Sequence, residues 1–125
     1  MQFTNVQEAC DYAVRKMVEQ GGQCKVQTTC VYGNEAGRHC AVGWLLPEDS
    51  PDNIWNFVGN VEDLAGKHGD SLPDVITENL YLMCHLQNFH DAESWMAREK
   101  YKRLLTREGI NTKGEHWQQW VDMGK

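Results

Sequence analysis

The sequence predicts an α+β fold, predominantly helical, with four or five helices packed with one β-hairpin at about residues 24–42. Three observations carry this expectation. Val6, Cys10, Ala13 and Met17 recur at helical spacing near the N-terminus. A longer stripe of Ile76, Leu80, Met83, Gln87 and His90 follows the same period. Between them CKVQTTCVY, residues 24–32, alternates in character and is rich in β-branched side chains, the composition of a strand.

Each element has its own signals. Thr4 with Gln7 has the form of a capping box, and Gly21-Gly22 closes a first helix over about 5–20. In the hairpin, Cys24, Val26, Thr28, Cys30 and Tyr32 share one side of a strand, and residues 33–37, GNEAG, form the turn. Symmetric closure sets Tyr32 opposite Arg38 and Cys30 opposite Cys40, with the Arg38 guanidinium over the Tyr32 ring. Residues 47–71 read as a loop with one or two short helices. Pro73 suits a helix start, and the helix it opens runs to Phe89, with Val75, Leu82, Leu86 and Phe89 widening the apolar stripe. Asp91 is placed to cap a helix over 92–108, which Gly109 ends. Trp117, Trp120 and Val121 give one apolar face to a short terminal helix, and Trp44 and Trp55 are expected in the core. With no repeat and no linker, residues 1–125 form a single domain.

Composition limits the function classes. A chain of 125 residues with 41% hydrophobic and 24% charged residues can bury its own core. No apolar run approaches the length of a membrane span, and MQFTNVQEACDY lacks the basic start and apolar stretch of a secretory signal. A cytoplasmic location and no membrane partner are therefore expected. The five cysteines are odd in number and contain no CxxC pair, so free thiols are expected, with no structural zinc and no cofactor. Cys30, Cys40, Cys84 and His90 are chemically able to ligate a metal, but nothing in their spacing makes them converge. A net charge of −6 opposes nonspecific nucleic-acid binding. The charge is uneven: residues 48–79 carry eight acids against one lysine, whereas 98–113 carry six basic residues against two acids. Such asymmetry steers a partner or forms two solvated faces.

Two stretches, CVYGNEAGRHCAVGWLLPED and NLYLMCHLQNFHDAESW, behind an amphipathic N-terminal helix, carry a resemblance. They are similar to a group of small phage and prophage proteins of no established activity. That group shows a Cys-x-Tyr strand, a glycine turn, Cys-Ala-Val/Ile-Gly with a leucine-proline exit, and a Leu-Gln-x-x-His-Asp segment. The matching positions are Cys30, Tyr32, Gly37, Cys40, Ala41, Val42, Gly43 and Pro47, then Leu86, Gln87, His90 and Asp91. Where the group often has arginine after the tyrosine, this chain has Gly33. The resemblance implies a phage origin, and with it the cytoplasm of the host cell.

Seven residues are candidates for ligand or partner binding: Tyr32, Arg38, Gln87, His90, Asp91, Trp117 and Trp120. Gln87 and His90 interrupt an apolar stripe, and a polar group there must find a partner or lose about 1–3 kcal/mol. They are expected either to tie the helix to the hairpin or to line a cleft with Tyr32 and Arg38 at its edge. Trp117 and Trp120 are either interface anchors or a face docked on the body. The leading expectation is a binding protein that engages a host protein, as a takeover factor or anti-defence inhibitor. The alternative is a protein that sequesters a small nucleotide-like ligand with Arg38, Tyr32, Gln87 and His90. A second alternative is a small hydrolase built on Cys40 and His90. No enzyme motif favours catalysis.

Overall fold

The computed structural model describes the backbone of residues 3–26, 29–34 and 37–125, and the side chains of these except 25, 26, 29 and 30. Among the described residues there are seven α-helices: α1 Val6–Gln20, α2 Asp52–Trp55, α3 Val61–His68, α4 Asp74–Thr77, α5 Leu80–Asp91, α6 Trp95–Arg107 and α7 Glu115–Asp122. None is long and apolar enough to cross a membrane.

The architecture is helical, and the expected α+β class with a β-hairpin over 24–42 is overturned. Among the described residues, extended pairing is limited to two residue pairs, Lys25–Val26 against Thr29–Cys30, and one isolated bridge between Gly33 and His39. The reason lies in where the backbone donors go. The amides of Tyr32 and Gly33 both donate to the Trp55 carbonyl at 3.0 Å, so α2 takes the place of a partner strand. Past Cys40 the chain coils at once: Trp44 N–H donates to the Cys40 carbonyl, and Gly43–Leu45 forms a 3-10 turn. Gly33 opposite His39 also replaces the expected register of Tyr32 opposite Arg38. The expected Cys30–Cys40 pairing involves a side chain outside the described residues.

The helices follow from local rules. Ala9, Cys10, Ala13, Val14 and Met17 bury one face of α1. Its cap is Asn5, not Thr4: the Asn5 side chain accepts from Glu8 N–H, and Gly21 at φ 87° ends the helix in the left-handed region. The expected helix from Pro73 to Phe89 is broken at Asn79, whose φ −134°, ψ 40° is not helical, giving α4 and α5. Ser94 rather than Asp91 caps α6, accepting from Ala97 N–H. The core forms where α5 packs on α6, α1 on α7, α6 on α7 and α3 on α5.

Candidate functional site

His90 and its neighbours form a closed polar cluster on the buried face of α5. His90 is fully buried. Its Nε2 accepts from the Cys24 amide at 3.1 Å, so that nitrogen carries no proton. The proton therefore sits on Nδ1, which donates to Asp91 Oδ1 at 2.7 Å. Gln87 completes the set: its Nε2 donates to the same Asp91 oxygen at 3.1 Å, and its Oε1 accepts from Val42 N–H at 3.3 Å. His90 and Asp91 meet although adjacent, at the last turn of α5. The cluster ties α5 to the 24–42 segment at Cys24 and Val42. The imidazole has no nitrogen left for a ligand.

The other candidates lie elsewhere. Tyr32 is buried, with its hydroxyl donating to the Gly59 carbonyl at 3.2 Å and its ring edge-on to Phe57. It is a packing residue, not the open edge of a cleft. Arg38 does not cover that ring: its Nη1 donates to the Gln23 carbonyl at 3.3 Å. Trp117 and Trp120 are fully buried, so they are core rather than exposed anchors. Their indole N–H groups donate to Asp11 Oδ1 and to the Phe89 carbonyl, each at 2.9 Å. The thiol set out as a nucleophile, Cys40, is fully buried, and burial pushes its pKa well above the ordinary thiol range.

The surface offers a different feature. A cleft of about 360 Å³ opens between the 33–39 turn and α2, lined by Gly33, Asn34, His39, Glu48, Asp52, Trp55 and Asn56. Its aromatic lining is His39 and Trp55. The His39 ring stacks on Trp55 at 4.7 Å and meets Trp44 edge-on at 4.5 Å. Gly33 permits that stack, since a Cβ there would come within 2.6 Å of Trp55 and 2.9 Å of His39 Nδ1. A Cβ at Gly43 would overlap the Tyr32 carbonyl oxygen, so both glycines are sterically required. Glu48 and Asp52, also lining the cleft, are exposed.

Comparison with protein-family models, curated proteins and solved structures finds no match.

Sequence reasoning missed this cleft because Trp55 and His39 are 16 positions apart and nothing in their spacing brings them together. Sequence reasoning also placed Arg98 in a solvated basic run. Arg98 is buried, lies 4.1 Å from the Trp120 ring and donates to the Trp120 and Ala92 carbonyls. Its place one heptad before the buried Leu105 was the available signal. Among the described residues no group of three or more His, Cys, Asp or Glu side chains converges as a metal site.

His39 gives the cleft a pH dependence. Burial lowers its pKa, outweighing the opposing effects of the Tyr32 backbone and Glu48. Its folded pKa thus lies below the unfolded value of 6.5, so the folded chain binds this proton less readily. The resulting stability is complete above 6.5 and is lost as pH falls below it. The melting temperature should hold from pH 7.5 to about 6.5 and then decline, and part of that decline should vanish in His39→Phe.

Proposed function

We propose that this chain is a binding protein, not a catalyst, and that it engages a basic surface of a protein partner through its acidic segment 48–78. One observation carries this reading: Glu48, Asp49, Asp52, Glu62, Asp63, Asp70, Asp74 and Glu78 are all exposed, with Lys67 the lone lysine among them. An unneutralised array of this kind speeds association with a cationic surface and rejects an anionic one. The likeness to phage proteins makes a host protein the expected partner, with inhibition or takeover as the consequence of binding.

Neither alternative has comparable support. A nucleotide-like ligand would need an open ring face at Tyr32, which is packed inside. A hydrolase would need an accessible Cys40 and a His90 nitrogen with a free lone pair, and the fold occupies both.

Affinity capture from bacterial lysate, with proteins and small molecules both read by mass spectrometry, tests the proposal. A stoichiometric protein partner should be captured at low salt. It should be released at about 0.5 M salt, where the screening length is only a few ångströms. It should also be lost from a Glu62→Lys, Asp70→Lys, Glu78→Lys variant. Capture indifferent to both salt and charge reversal would overturn the reading.

A further inference from the structure

We propose that the cleft between the 33–39 turn and α2 is a pocket for a guanidinium group, and that it receives an arginine side chain of the partner. The inference rests on the acidic-docking reading and names its anchor.

The lining selects the chemistry. Trp55 presents a half-buried indole stacked on the His39 ring, which in turn meets Trp44 edge-on. The same cleft is lined by the carboxylates of Glu48 and Asp52, neither of which is engaged by a salt bridge or hydrogen bond from another described side chain. His39 adds no opposing charge near neutral pH, since burial disfavours its protonated form. A flat cation that stacks on an aromatic face while offering several N–H donors to carboxylates satisfies both kinds of lining group at once, and that is a guanidinium. An ammonium ion lacks the plane needed for stacking. A phosphate would meet two like charges. A volume of about 360 Å³ lies within the range of sites that accept such a group with part of its carbon stem. The narrow gap at Gly33 keeps the indole in position, so the pocket is prepared before any ligand arrives.

The probe is a capped tripeptide, acetyl-Gly-Arg-Gly-amide, titrated against the full chain while the Trp55 indole N–H is followed by NMR. Trp55→Phe assigns that resonance. The expected result is a saturable shift with a Kd of about a millimolar, as suits a single side chain in a half-open site. The lysine analogue should bind at least about tenfold more weakly. The double variant Glu48→Gln, Asp52→Asn should also weaken arginine binding by at least about tenfold, with its melting temperature nearly unchanged because both groups are exposed. Absence of a saturable shift, equal binding of lysine, or full binding by the double variant would each overturn the proposal. The two readings fail separately. Arginine binding without charge-dependent partner capture removes the docking reading alone, and capture without arginine binding removes the pocket alone.

Discussion

Deleting residues 115–125 unfolds the protein. The segment holds α7, whose Trp117, Trp120 and Val121 are buried in the core. Truncating one buried tryptophan typically costs about 3–5 kcal/mol, and a whole domain is stable by only about 5–15 kcal/mol. Two such losses reach that total before polar terms are counted. Those terms add to the damage. Asp11 loses its bonds from Trp117 and His116, and Arg98 loses the Trp120 carbonyl and the ring beside it. In the intact fold burial works against the Asp11 carboxylate, but the donors Trp117, Gln7 and His116 outweigh burial and hold its pKa below the ordinary value. Without α7 that balance reverses. Calorimetry should show no cooperative transition for the truncated chain. A truncated chain that melts within a few degrees of the full one would make the tryptophans peripheral.

The second large effect is at His90. His90→Ala should destabilise by about 3 kcal/mol or more, because a cavity and unpaired polar groups appear together. The Cys24 amide loses its acceptor, Asp91 Oδ1 loses its shortest bond, and Trp120 loses a ring stacked at 5.9 Å. Gln87→Leu should cost less, since it breaks a 3.3 Å and a 3.1 Å contact but fills its own volume. Denaturant unfolding of both variants gives the ranking. A His90→Ala loss below that of Gln87→Leu would show that the imidazole does not hold the cluster.

Much of the helical framework was legible because amphipathic period and glycine stops are local signals, whereas the N-caps fell at Asn5 and Ser94 rather than at Thr4 and Asp91. Met17 and Gly21 mark α1, and Trp117 with Trp120 mark α7, within a few residues. What misled was the 24–42 segment. Its alternation is real, but whether such a run joins a hairpin depends on the partner that takes its amides, and that partner is the Trp55 carbonyl, more than 20 residues away. The same distance hid the cleft, which needs Gly33, His39 and Trp55 assembled by tertiary structure. Gln87 and His90 could be read as polar intruders on a buried face. Their partners, Val42 N–H and Cys24 N–H, are backbone groups that no residue pattern records.

In the proposed reading, the cluster around His90 is scaffold and the surface around Glu48 and Asp52 binds the partner. Stability and partner capture measured together on two variants test it most directly. His90→Ala, held at a temperature where it remains folded, should lose stability and still capture the partner. The Glu48→Gln, Asp52→Asn variant should keep its melting temperature and lose capture. A folded His90→Ala protein that cannot capture the partner, or a double variant that captures it fully, would contradict the account.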